Sequence, residues 1–441
     1  MTQPTRRTFL GGAAAGASLR ATASGVNGKP ALLGGAPVRT SPWPAWPQIG
    51  RIDEETWTEA LRSLRRNLGR GKQLDRFQET YARLAGARHC LATANGTSSI
   101  LTALAVLGIG PGDEVIVPAY TFIATINPVL MHRALPVLVD SDPETFQIDA
   151  GKIEAAITDR TAAILPVHIG GAAADLDRIM EIGKRRRIPV IEDACQAHLG
   201  EWRGRKVGTF GSMGCFSFQA SKNLNSAEGG AIVTNDQELF ERCYTFHNNG
   251  RNRTVTDSYN FSYQSAGTNA RMTEFQATLL LAQMTRLEEQ SRKRDENGQY
   301  LTGMLRQIDG IAPARLHPGC TRNAWHLYML RYRKEHFAGL SRAAFLKALN
   351  AEGIPASRGY PRMNQQPFLK NALHSKGFKA IYSAERLARW EERNQCPAND
   401  GVADENVWFT QTMLLDTRQG MEQIAEAIRK IQVNAALLLK A

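Results

Sequence analysis

A chain of 441 residues, 43% hydrophobic and 22% charged, has the make-up of a globular protein with room for two domains. The formal charge of +12 invites a nucleic-acid reading, but Arg6, Arg7 and Arg20 supply part of it and the rest is spread along the chain. Its densest run, Lys184-Arg185-Arg186-Arg187, precedes the apolar Ile188-Pro189-Val190-Ile191 and reads as the solvated end of a helix in preference to a polyanion site. No apolar run reaches the roughly 18 to 20 residues a membrane span needs, and the six cysteines form no C-x-x-C pair, so neither stable membrane insertion nor a metal site is expected.

In chain order, Thr5-Arg6-Arg7-Thr8-Phe9-Leu10, a Gly/Ala-rich apolar stretch and Ala21-Thr22-Ala23 resemble a twin-arginine export signal with a cleavage site. Residues 1–28 are set apart on this ground, as a signal that predicts the periplasm or as a basic tail that leaves the chain in the cytoplasm. Residues 29–52 (Gly34-Gly35-Ala36-Pro37, Trp43-Pro44-Ala45-Trp46-Pro47) read as an extended arm, with Trp43 and Trp46 expected to face another subunit. A helical region follows from Asp53 to Leu84. Helices then alternate with short apolar strands at Glu114–Pro118, Leu135–Asp140, Ala162–Val167, Ile188–Glu192, Gly214–Phe218 and Gly230–Thr234, which predicts an α/β domain with a mostly parallel sheet over residues 53–295. A long amphipathic helix, Thr273–Tyr300, leads into a smaller α+β domain over residues 296–441. That domain holds strands at His326–Tyr332 and Trp408–Leu414 and helices at Ser341–Glu352 and Gly420–Leu439.

Four segments at the carboxyl ends of these strands carry chemistry. Ala94-Asn95-Gly96-Thr97-Ser98-Ser99 opens a helix, either as a plain cap or as a phosphate cradle of free N–H groups. Phe122, after the strand ending at Val117, serves the core or stacks on a flat heterocycle. In Ile191-Glu192-Asp193-Ala194-Cys195-Gln196 an acid ends an apolar strand; it is a helix cap, or the partner that keeps a pyridine nitrogen protonated. Phe216-Ser217-Phe218-Gln219-Ala220-Ser221-Lys222, before Glu228-Gly229-Gly230, decides between these readings. A lysine just past a buried strand has a lowered pKa that favours condensation with an aldehyde, and Ser217 and Ser221 can donate to phosphate oxygens.

In order and spacing these motifs resemble the DegT/DnrJ/StrS family of sugar aminotransferases, pyridoxal 5'-phosphate (PLP) enzymes of fold type I, over about residues 30–435. The resemblance implies an aspartate-aminotransferase-like three-layer large domain. It also implies Lys222 as the cofactor's covalent anchor, Asp193 at the pyridine nitrogen, Gln196 near the ring's 3-hydroxyl and Phe122 against the ring. Gly96, Thr97 and Ser217 would hold the phosphate. Gly267-Thr268-Asn269-Ala270-Arg271-Met272 matches a family motif whose asparagine, here Asn269, reaches the phosphate of a neighbouring subunit, so a homodimer is implied. The Gly-Gly-x-Pro-Val-Arg opening with Phe-Ser-Phe-Gln-x-Ser-Lys resembles most the branch acting on keto-inositols and cyclitols. Ala270 departs from its usual Tyr and Ala227 from its common Gly.

The implied reaction is a ping-pong transfer of an amino group from Glu or Gln to a keto-sugar or keto-cyclitol, such as a scyllo-inosose-like ketone or a nucleotide-linked keto-sugar. A PLP-dependent sugar dehydratase on the same fold would carry His at the lysine position. A non-catalytic binding or sensory protein would have no need of Lys222, Asp193 and Gln196 together. A nucleotide-binding Rossmann protein would show a G-x-G-x-x-G that Ala-Asn-Gly-Thr-Ser-Ser does not supply. His247, Asn248, Asn249, Arg251, His326 and Tyr360 are further polar residues expected near the cleft.

Overall fold

The computed structural model describes residues 26–66, 72–253 and 262–440. The segment read as an export signal therefore lies outside the described residues, apart from its last three. Helices α1 (Arg51–Arg66) and α2 (Gln73–Ala85) precede β1 (His89–Thr93). Next come α3 (Gly96–Val106), β2 (Glu114–Pro118), α4 (Ile123–Met131), β3 (Leu135–Val139), α5 (Ala150–Ala156), β4 (Thr161–Ile164), α6 (Leu176–Arg186) and β5 (Ile191–Asp193). Strands β6 (Met213–Ser217) and β7 (Gly230–Thr234) follow, then α7 (Gln237–His247) and the long α8 (Glu274–Leu305).

The strands form two ladders, β1-β7-β6-β5 and β3-β2-β4, joined by parallel bridges at Ile164–Val190 and Val167–Asp193. The result is one seven-stranded surface in which only β7 runs antiparallel to its neighbours. Strands β2, β3, β6 and β7 are buried along their whole length, as their unbroken apolar runs require. Helices α3, α4 and α7 pack on one face of the sheet, and α2, α5, α6 and α8 on the other, which gives three layers. Two expected strands are shorter than their apolar runs. Pro166 and Pro189 offer only carbonyls, to Asp193 and Ile164, so the ladder between β4 and β5 thins to bridges.

Helix α8 buries Ala277, Leu280 and Leu287 in the first domain and Leu301 and Leu305 in the second. The second domain is an antiparallel sheet of β8 (Ile311–Pro313), β9 (Leu327–Tyr332) and β10 (Asn406–Thr410), covered by α9 (Arg342–Ala351) and α10 (Arg418–Val433). One feature differs from the sequence reading. Residues 363–396, within the span assigned to the small domain, pack their apolar side chains, Trp390 of helix Ala384–Arg393 among them, into the large domain's core. The Trp390 indole donates to Pro136 O at 2.6 Å, so this segment covers the edge strand β3, which would otherwise expose unpaired backbone.

The arm also makes hydrogen bonds within its own chain. The amides of Ala31 and Val38 donate to the Glu352 carboxylate, which is paired at 2.9 Å with the fully buried Lys430. The Trp43 indole donates to Gly353 O and the Trp46 indole to Ala220 O, both at 2.9 Å. Tryptophan N–H groups seek partners when buried, and here the partners were available within the chain.

Candidate active site

The carboxyl ends of β1, β2, β5 and β6 open on a cavity of about 660 Å3. At the first, Asn95 adopts an extended backbone and caps α3, its side chain accepting from Ser98 N at 2.8 Å. The Ser99 amide turns back to Asn95 O, and among the described residues no group bonds the amides of Gly96 and Thr97. The segment is thus both a cap and a helix N-terminus with free N–H groups on the cavity wall. A Cβ on Gly96 would lie 2.7 Å from Ser217 Cβ and 2.9 Å from Cys195 Sγ, so glycine is what lets the two strand ends close up.

Asp193 ends β5 with 4% of its surface exposed. Its Oδ2 accepts from Thr125 Oγ1 at 2.7 Å and its Oδ1 from Cys195 N at 3.2 Å. These two bonds hold the carboxylate in place, but neither partner is a cation. The preceding Glu192 is satisfied differently. Burial would raise its carboxyl, but His168 and the amides of Gly208 and Gly211 outweigh that and hold it low, so it is an anchor for the loop before β6. Gln196 accepts from Gly170 N at 2.8 Å and donates to Tyr360 OH at 3.0 Å, which fixes the sense of its amide.

Lys222 reaches the same cavity from the loop after β6. Burial pushes its amine below the usual lysine value, against the pull of Cys195 and Asp193 toward the charged form. The loop is tethered from outside by Trp46 at Ala220 O and by Asn223, whose amide donates to Ala324 O at 2.7 Å. Phe122 stands at the cavity mouth, 51% exposed, with Tyr360 beside it at 6.1 Å between rings. A large aromatic left half in water at a cavity mouth is a surface awaiting a flat partner.

Seven of the eight residues singled out in the sequence, Gly96, Thr97, Phe122, Asp193, Gln196, Ser217 and Lys222, line this one cavity. Asn269 does not. It is exposed, bridges to Asn248 and stands outside its own chain's cavity. Of the further polar residues, His326 and Tyr360 line the cavity, whereas His247 is buried at the end of α7 with Nδ1 against Tyr244 O. Asn248, Asn249 and Arg251 also lie off the cavity wall. Sequence reasoning missed Thr125, which holds Asp193, and Cys195. The one signal for Thr125 was its place on the first turn of the helix that follows Phe122.

A phosphorylated pyridine aldehyde fits these residues. Free helix amides and the Ser217 hydroxyl suit a phosphate, the amine of Lys222 suits an aldehyde carbon, and the cation-less buried carboxylate of Asp193 suits a protonated ring nitrogen. The fold and the site together define a PLP-dependent transaminase. The sequence profile of the DegT/DnrJ/EryC1/StrS aminotransferase family matches residues 48–389, and the chain belongs to that family. It is 36% identical over 426 residues to the L-glutamine:2-deoxy-scyllo-inosose aminotransferase of Streptoalloteichus tenebrarius, covering 91% of this chain and 97% of that one. It is 34% identical over 388 residues to the 3-amino-5-hydroxybenzoate synthase of Amycolatopsis mediterranei, covering 88% and 96%. A crystal structure of 3-amino-5-hydroxybenzoic acid synthase superimposes with a TM-score of 0.79 at 32% identity, over 90% of this chain and all of that one.

Proposed function

We propose that this transaminase takes its amino group from glutamine, or from glutamate, and delivers it to the ketone of a cyclitol or a related keto-sugar. The observation that carries this reading is the meeting of Lys222 and Asp193 in one cavity, in a chain similar along nearly its whole length to a glutamine-dependent cyclitol aminotransferase. When bound, PLP supplies an electron sink that acidifies the donor's Cα–H bond. Lys222 would hold the cofactor, and its amine, when free, would take the proton from the donor's Cα. Asp193, held by Thr125 and the Cys195 amide, keeps the ring nitrogen protonated. The amides of Gly96 and Thr97 with Ser217 retain the phosphate. Gln196 and Phe122 border the ring. The dehydratase reading is disfavoured by a lysine at position 222, and a purely sensory role by the intact proton-handling set.

The active unit we propose is a homodimer in which Asn269 serves the neighbouring cavity, since it is exposed and does not line its own. Export by residues 1–28 is likewise proposed, on the Arg6-Arg7 motif. A reporter fused to that segment should leave the cytoplasm, and should stay when both arginines become lysine.

The test of function is direct. Borohydride reduction of the yellow holoenzyme should fix the cofactor's mass on the peptide containing Lys222. The aminated cofactor form should return to its resting absorbance with keto-cyclitols in preference to nucleotide-linked keto-sugars. Label on another lysine overturns the site, and a response to nucleotide-linked sugars alone overturns the substrate class.

A further inference from the structure

His326, just ahead of β9, is 6% exposed and lines the cavity. A chain of hydrogen bonds fixes its tautomer. The Asn223 amide donates through Nδ2 to Ala324 O at 2.7 Å, which turns its Oδ1 toward the imidazole. Oδ1 can only accept, so its 3.3 Å contact with Nδ1 places the ring proton on Nδ1. Nε2 is then a bare lone pair, and among the described residues no group is bonded to it. Burial, followed by the charges of Lys222, His198 and Arg294, holds the imidazole well below its ordinary pKa. The Arg294 charge is not cancelled, because its Nη1 and Nη2 are buried without acceptors and its Nε is spent on Gln411.

His326 is therefore a neutral acceptor tethered to the residue that follows Lys222. Three neighbouring groups do not take its place. Asp193 and Cys195 favour the ammonium form, and His198 has both nitrogens committed, to Tyr81 OH at 3.0 Å and Ser217 O at 2.8 Å. We propose that His326 is a positioning residue for Lys222, its Nε2 accepting a hydrogen bond from the lysine amine whenever that amine is free, so that the nitrogen lone pair faces the donor's Cα–H. This rests on Lys222 being the cofactor's lysine. In the step it serves, the proton passes from the donor's Cα to the Lys222 nitrogen, the electron pair stays on the substrate–cofactor side, and His326 remains neutral. Neutrality is the point of the arrangement. A carboxylate at this place would fix the lysine as an ammonium ion, and an aliphatic group would leave a buried N–H without an acceptor.

The test uses the full-length holoenzyme and the variants His326→Leu, His326→Gln and His326→Asp. Nitrogen NMR of the histidine-labelled wild type should report His326 as the Nδ1–H tautomer, not titrating through neutral pH. In the glutamine half-reaction, His326→Leu should be slower by about 10 to 10²-fold, with a larger isotope effect for α-deuterated donor, and His326→Gln should recover most of that loss. His326→Asp should move the acid limb of the pH profile up by about one unit or more. The Nε2–H tautomer, an undiminished His326→Leu half-reaction or an unmoved acid limb in His326→Asp would each overturn the proposal. Borohydride labelling of Lys222 is run on the same samples. Label present with those reversals removes the role of His326 alone, whereas label absent from the wild type removes the Lys222 assignment and this role with it.

Discussion

Ala227 holds a backbone φ of 67°, in the left-handed region, at a turn where Ala220 N donates to its carbonyl. A side chain there costs about 1–2 kcal/mol, while glycine would add about 0.4–1 kcal/mol of unfolded-chain entropy. Ala227→Gly should therefore stabilise the protein by about 0.5–1 kcal/mol, seen as a higher urea midpoint with an unchanged slope; an unchanged or lower midpoint would show that the turn relaxes around alanine. Lys222 and Asp193 were legible in the sequence because each follows a strand of continuous apolar residues, where an ionisable group needs a reason to be. Thr125 and Cys195 were not, since a small polar residue beside a helix start or a strand end has many uses and only the fold shows which atom it meets. Asn95 combined two readings that the sequence left as alternatives, capping one amide of α3 and thereby leaving two others free.

Among the elements, the clasp of the arm on α9 and α10 depends most on a single charge. Lys430 donates to Glu352 Oε2 at 2.9 Å and to Ala36 O at 2.7 Å, and both ionic side chains are sealed from water. Lys430→Met would leave a buried carboxylate facing only amides, at a cost of about 3–5 kcal/mol. Denaturant unfolding should show that loss, and limited proteolysis should cut sooner within residues 30–39; an arm equally resistant in the variant would mean that its other contacts suffice. Most strands were legible as apolar runs. The exceptions were the short β8 and β1, His89-Cys90-Leu91-Ala92-Thr93, whose small and polar residues lack that signature although four of its five positions are buried. The helices between residues 363 and 405 were not read either. Each buries only a few side chains among charged ones, and their docking on the edge of a sheet more than two hundred residues earlier leaves no local trace.

At the scale of the molecule, subunit pairing and acid stability can both be measured. Lys222→Ala and Asn269→Asp should each be nearly inactive, the second because it sets a carboxylate against a phosphate. Mixed with subunit exchange they should recover up to about one quarter of wild-type activity, because about half the dimers are hetero and each holds one site free of both changes. Exchange without recovery would place both residues in one site of one chain. Burial holds His198 and His247 at about 4. A histidine depressed in the folded state stays neutral while the unfolded chain takes up a proton, so this stability is complete above pH about 6.5 and drains away as pH falls toward 4. The loss is on the order of 3 kcal/mol per group, and urea midpoints at neutral and mildly acid pH should show it, with a smaller drop in His198→Gln.

The clasp also orders events in time. Ala31 to Arg39 find their partners in Glu352, Asp416 and Lys430, which are made more than three hundred residues later. Among the described residues no nearer group answers the amides of Ala31 and Val38, so the arm must wait, solvated, for partners made much later. A chain cut short before Lys430 could form its sheet but would lack the cation that seats Glu352, so protection of residues 31–39 reports that the second domain has closed on the arm.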